Sequence, residues 1–196
     1  NALGLDALEA EAVCVRAANQ SGGIVHPPVY GGMGGLDKPA TIKMEAEDSW
    51  ENYLLRPWLE KMTSEFHRLG FRSIIIVTGH YGHNQQIVVR EVAIRMSERL
   101  QLPILGIPEY WLALDAGYLG DHAGIGETSL LWYLEPHLVA IDRISNDPEY
   151  GKDNHIEKGS SPELGQKYTD LIAKRLGSLA KSMPKWTEEK RADFIT

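Results

Sequence analysis

The chain is poor in several things, and each shortage excludes a class of protein. Its 196 residues include one cysteine, Cys14, so no internal disulfide can form. Cys14 sits among alanines and valines and is expected to pack as a small apolar residue in a reducing, cytoplasmic setting. No apolar run approaches the ~20 residues needed to span a bilayer. Basic residues never run longer than two in a row, and the net charge is −7. An acidic chain without a basic stripe argues against nucleic acid or an anionic membrane surface as its partner. The glycine-rich stretches match neither G-x-G-x-x-G nor the phosphate-binding loop, which leaves a nucleotide-binding reading weak. There is no internal repeat and no low-complexity tract.

What is present is ordinary in bulk: 43% hydrophobic and 24% charged residues, enough for one large soluble domain over residues 1–196. Residues 6–19 are rich in Ala, Glu and Val and read as a helix. Asp6 followed by Glu9 resembles a capping box, and Gly22-Gly23 ends the helix. Residues 24–26 read as a short strand stopped by Pro27-Pro28. A glycine-rich loop follows over residues 29–39, then a possible strand at 41–44. A helix capped by Ser49 runs to Leu69, with Pro57 as a kink or an early boundary and Gly70 as the stop. Residues 73–77 are a continuous β-branched run, the pattern of a strand buried on both faces. A helix over residues 84–100 and a strand over 102–107 come next.

A helix to Leu134 precedes Pro136, and residues 146–161 are polar. Ser161-Pro162 opens a final helix to about Ser182, and a polar tail over 184–196 is expected to lie on a neighbouring surface. Strands alternating with helices give an α/β domain, a three-layer α/β/α arrangement around a central, mostly parallel sheet. Ligands of such sheets bind beyond the carboxyl ends of the strands.

Two segments put chemistry at such ends. Thr78-Gly79-His80-Tyr81-Gly82-His83-Asn84 follows the buried strand. His80 reads as a metal ligand, a base, or a loop histidine bonded to backbone. His83 reads best as a first-turn helix residue. Gly120-Asp121-His122-Ala123-Gly124-Ile125-Gly126-Glu127-Thr128-Ser129 packs two acids and an imidazole among glycines. Carboxylate with imidazole suits zinc, manganese or iron. The alternative makes Asp121 a turn residue and Glu127 a first-turn carboxylate facing the helix dipole. Asp6, on local grounds, is a helix cap. Tyr30, Tyr81, Trp111 and Tyr118 flank the glycine loops and either line a substrate pocket or pack. The five tryptophans suggest a large core or an oligomer interface.

These motifs resemble the creatininase (creatinine amidohydrolase) family. The buried strand with Gly-His-Tyr-Gly-His-Asn and the His-Ala-Gly-x-Gly-Glu-Thr-Ser segment carry the likeness. Leu3-Gly4-Leu5-Asp6-Ala7-Leu8 resembles the family's Leu-Pro-Leu-Gly-Thr-Asp-Ala-Leu, and Pro27-Pro28-Val29-Tyr30-Gly31 its Pro-Pro-x-x-Tyr-Gly loop. The region 159–165 resembles the start of its C-terminal helix.

The resemblance implies a homo-oligomeric, metal-dependent enzyme that cleaves a non-peptide C–N bond of a small amide through hydroxide generated at two divalent ions (Zn, Mn or Fe). It makes Asp6 the bridging carboxylate, His80 a ligand of one ion and Glu127 of the other. By the same resemblance His122 becomes the catalytic proton carrier. On local grounds Asp121, adjacent to it, is the candidate to orient its imidazole, and Tyr81, Tyr30 and Trp111 beside the glycine loops are the candidates to line the substrate site. The family's Glu-x-His-Gly motif, which supplies two further ligands, is absent from residues 1–196, and an upstream segment carrying it is expected. Creatininase proper has Glu where this chain has Gly82, so the chain resembles the Gly-His-x-Gly-x-Asn members more closely. The rival is a non-catalytic binding or assembly subunit with a degenerate metal site.

Overall fold

The computed structural model describes residues 1–33, 54–144 and 156–195. The strand expected at 41–44, the Ser49 cap and most of the polar stretch 146–161 lie outside the described residues.

Helix α1 (Leu5–Ser21) begins at Gly4, whose φ of 85° sets the turn, and closes at Gly22, φ 79°, whose N–H bonds the Ala18 carbonyl. Its buried residues are Leu5, Glu9, Val13 and Ala17, every fourth position and so one face. The expected capping box is therefore not formed. Gly4 occupies the cap without a side-chain bond, Asp6 lies in the first turn, and Glu9 is turned into the core stripe. Residues 24–26 form no strand. Ile24 is exposed, and the two prolines after His26 have no N–H to give a ladder.

Helix α2 (Arg56–Arg68) carries Pro57 in its first turn, so that proline marks a boundary and not a kink. Gly70, at φ 90°, ends it, with the Gly70 N–H on the His67 carbonyl at 2.9 Å and the Phe71 N–H on the Phe66 carbonyl at 3.1 Å.

Strand β1 (Ile74–Thr78), helix α3 (His83–Leu100) and strand β2 (Ile104–Pro108) form a β-α-β unit. The strands pair in parallel from Ile74 with Ile104 to Thr78 with Pro108. Among the described residues β1 has a strand partner on one edge only, and Ile74 to Val77 are half-buried. Burial on both faces, as the run suggested, is thus not seen over the described residues. Ile74 and Ile76 pack on the cluster of Leu59, Val88, Val92, Met96 and Ile104. Strand alternation sends Ile75 and Val77 to the other side, where α1 lies against β1.

After β2 a 3-10 stretch (Glu109–Ala116) leads to α4 (Ile125–Leu134), short α5 (Ile156–Gly159) and long α6 (Pro162–Ser182). The Ser161 hydroxyl accepts the Leu164 N–H at 3.1 Å, the N-cap that the sequence announced. A second cluster holds Val13, Ala113, Tyr118, Leu130, Tyr168 and Ile172, joining α1, α4 and α6. The tail forms α7 (Glu188–Ile195), and Arg191 reaches Gln101 beyond the end of α3 at 3.3 Å. Helices thus cover both sides of a parallel sheet, an α/β arrangement. No helix among the described residues is long and apolar enough to cross a membrane.

Candidate metal and catalytic site

The site begins where β1 ends. The Thr78 hydroxyl donates to the His80 carbonyl at 2.8 Å, fixing the turn out of the strand. Gly79 has no Cβ because the Asp6 backbone carbonyl occupies that space, so the first turn of α1 seats directly on the strand end. This contact joins residues 74 apart: His80 Nδ1 lies 3.1 Å from Asp6 Oδ2. The other ring nitrogen, Nε2, lies 2.8 Å from the Met33 carbonyl.

Both neighbours of the ring are acceptors, so a proton on each nitrogen satisfies them best. The His80 pKa is accordingly raised, first by the hydrogen bond to Asp6, against the effect of burial, and further by the Met33 carbonyl and the Asp6 charge. Asp6 and His80 are thus held as a hydrogen-bonded carboxylate–imidazole pair beyond the end of β1. At Gly82 a side chain would run into the Met33 carbonyl and come within 2.6 Å of His80 Nε2. The Glu that creatininase proper carries at this point has no room here. His83 begins α3, as its first-turn reading required.

The second loop is organised by Asp121. Its Oδ2 accepts the Gly126 N–H at 2.7 Å and its Oδ1 the Glu127 N–H at 3.1 Å. Both oxygens thus cap the start of α4, a helix N-terminus that favours an anion. Asp121 therefore does not orient His122, as had been expected; its carboxylate has been taken by the backbone. His122 is exposed and has no hydrogen-bond partner among the described residues. Ala123 beside it has φ 47°, an uncommon value for a residue with a Cβ.

Glu127 is buried, and its Oε2 accepts the Ala123 N–H at 2.5 Å. Its pKa stands well above the ordinary carboxyl value, because of burial and the nearby charges of Asp121, Asp6 and Glu109, with the Ala123 bond opposing. Asp6 and His80 therefore meet, and Glu127 feels the charge of Asp6. Among the described residues, no three His, Cys, Asp or Glu side chains converge closely enough to hold a metal ion.

The aromatic candidates separate. Tyr30 is exposed, its ring over Gly4. Trp111 is partly exposed and meets Tyr110 edge-on. Tyr81 turns its hydroxyl inward, to Glu109 Oε1 at 3.0 Å and to the Tyr118 hydroxyl at 2.8 Å, so its polar end faces the protein. Tyr118 is buried and takes its packing role. The Cys14 thiol is pushed up to about 12, chiefly by burial, and is inert at neutral pH.

Two acids were not read as site residues: Glu9, half of the expected capping box, and Glu109. Glu9 and Glu109 are both 0% exposed, and Glu9 Oε1, Glu9 Oε2 and Glu109 Oε2 have no hydrogen-bond partner among the described residues. Burial and the charges of Glu109, Glu127, Asp6 and Asp121 raise the Glu9 pKa well above normal. Glu109 is pushed up to about 8, burial leading. Glu9 was legible as an acid on the apolar stripe of α1, and Glu109 as an acid directly beyond the carboxyl end of β2.

The family model of creatininase, described as creatinine amidohydrolase, matches residues 1–180. The chain belongs to the creatininase family. A creatinine amidohydrolase of Pseudomonas putida is 27% identical over 173 aligned residues, covering 74% of this chain and 63% of that protein. The chain thus matches less than two thirds of the curated relative's length. Among solved structures, creatinine amidohydrolase (creatininase) superposes with a TM-score of 0.74 at 20% identity, covering 93% of this chain and 84% of the other. A tryptophan-to-phenylalanine mutant creatininase gives 0.73 at the same identity and coverage. At that identity the likeness shows the fold, and the creatininase fold is the one this chain adopts.

Proposed function

We propose that this protein is a metal-dependent hydrolase of non-peptide C–N bonds, acting on a small amide that is cyclic, a formamide or similar. The observation that carries the reading is the meeting of Asp6 with His80 at 3.1 Å, beyond the carboxyl end of a parallel strand, in a member of the creatininase family. Carboxylate with imidazole is a donor pair for zinc, manganese or iron. Glu127 adds a buried carboxyl whose pKa is raised by burial and by the charges of Asp121, Asp6 and Glu109. These donors fit part of a two-ion site and need further ligands to complete it.

When bound, two divalent ions supply a water of lowered pKa and polarise the amide carbonyl. The chain's residues do the rest. Asp6 and His80 hold one end of the site, with the His80 ring fixed by the Met33 carbonyl. Glu127 holds the other, its backbone anchored by Asp121. His122, exposed and without a hydrogen-bond partner among the described residues, delivers a proton to the leaving nitrogen. Exposed Tyr30 and Trp111 offer apolar faces to the substrate. The enzyme works as a homo-oligomer in the cytoplasm, without nucleic acid or membrane.

The rival reading is a non-catalytic binding or assembly subunit with a degenerate metal site. Elemental analysis of the full-length protein after metal supplementation separates them. About two equivalents of a divalent transition metal per chain supports the hydrolase, and none supports the rival.

A further inference from the structure

Tyr81 follows His80 in the first site loop, and Tyr118 precedes Gly120-Asp121-His122 in the second. Their hydroxyls lie 2.8 Å apart, and Tyr81 donates its proton to Glu109 Oε1 at 3.0 Å. Glu109 is fully buried at the end of β2. Each hydroxyl has one proton to give, so with Tyr81 committed to Glu109 the Tyr118 hydroxyl donates to Tyr81. The result is a directed chain, Tyr118 to Tyr81 to Glu109.

Its far end is anchored as firmly. Tyr118 is 2% exposed and stacks on Tyr168 with ring centres 5.0 Å apart. Its ring also presses on Gly126, where a Cβ would come 2.6 Å from Tyr118 Cδ2. Gly126 is the residue before Glu127, and both backbone N–H groups are held by Asp121. Both hydroxyls and Glu109 Oε1 are engaged in the chain, while Glu109 Oε2 has no partner among the described residues.

We propose that Tyr118 and Glu109 are positioning residues: through Tyr81 they lock the His80 loop to the loop carrying Glu127, fixing the separation at which the two ends of the site take their cations. The inference rests on the hydrolase reading above. None of these three groups is offered as a ligand. Ring packing alone would make the tyrosine hydroxyls dispensable, and the test turns on that difference.

Zinc affinity of the full-length protein is measured by chelator competition, with thermal unfolding of the metal-free protein alongside. Tyr118→Phe keeps the ring and removes one hydroxyl; it is expected to weaken zinc binding about 10- to 100-fold, the scale of lost outer partners of metal ligands. Tyr168→Phe removes a hydroxyl outside the chain and is expected to leave affinity unchanged. Glu109→Gln retains an acceptor for Tyr81 and is expected to bind zinc nearly as wild type, whereas Glu109→Met, of similar volume without an acceptor, is expected to fall with Tyr118→Phe. Should Tyr118→Phe bind as tightly as wild type, or should Glu109→Gln lose as much as Glu109→Met, the clamp is refuted. Equal losses in Tyr118→Phe and Tyr168→Phe would also refute it, in favour of packing. A wild-type protein that takes no zinc refutes the hydrolase reading instead, a separate and recognisable result.

Discussion

The two sides of this molecule are built on different principles. The cluster around α2, α3 and the sheet is aliphatic throughout: Met33, Leu55, Leu59, Val88, Val89, Val92, Ala93, Met96, Leu102 and Ile104. The cluster among α1, α4 and α6 includes two tyrosines, with two more at its edge, and beside it lie Glu9 and Glu109, buried with oxygens that have no partner among the described residues. The first side gains from removing hydrocarbon from water and loses little to polar burial. The second carries carboxyls that cost stability unless protonated or given a cation. Among the described residues, the buried acids without partners lie on the second side.

That contrast can be broken from either side. The largest effect is expected at His122, which bonds nothing among the described residues: His122→Ala should lower amide turnover by about 10²- to 10⁴-fold, the usual worth of a positioned acid–base group, with metal content unchanged by elemental analysis. Loss of the metal instead would move His122 from proton carrier to ligand. On the aliphatic side, Met96→Ala should cost about 2–5 kcal/mol in denaturant unfolding and leave the metal bound per folded molecule as before.

The acidic side should answer in the opposite sense. Glu9→Leu replaces a buried carboxyl without a partner among the described residues and should stabilise the metal-free protein by about 1–3 kcal/mol at pH 8. A loss of stability there would mean that Glu9 is paired in the full-length protein. The pH profile sharpens the same point. A carboxyl whose folded pKa is raised holds its proton more tightly folded than unfolded. It favours the fold below the unfolded value, about 4.3, and this advantage is lost as pH climbs to the folded value. With Glu109 pushed up to about 8, and Glu9 and Glu127 raised as well, the metal-free protein should lose stability between about pH 5 and 8. The slope is at most about 1.4 kcal/mol per pH unit for each group. Denaturant midpoints across that range check it, and a flat or rising profile would contradict the buried-acid account.

Much of the frame was legible beforehand because its signals are local. Ser161-Pro162 opens α6 as expected, Gly22 and Gly70 end their helices, and the β-branched run with the segment after it gives β1 and α3. The 24–26 strand failed because β-propensity without a ladder partner decides little beside two prolines. Asp6 shows the harder case. Its spacing to Glu9 suits a capping box and equally suits one buried helical face, and only tertiary contact with Gly79 and His80 selects between them. Asp121 was equally open, because a carboxylate before a helix can serve the backbone or a neighbouring imidazole; the free N–H groups of α4 claimed it. The pairing of Asp6 with His80 came from family resemblance alone, since no local rule joins residues so far apart.

If the protein is the proposed hydrolase, Asp6 and His80, 3.1 Å apart, share a cation. Nitrogen-15 NMR of the histidine rings during zinc titration of the full-length protein tests it directly, with exposed His26, which bonds the Pro27 carbonyl at 2.7 Å, as an internal reference. The account predicts that the His80 ring resonances move to metal-ligated values with the first equivalents while His26 stays in place, and that Asp6→Asn weakens the response. His80 resonances unchanged at saturating zinc would contradict it.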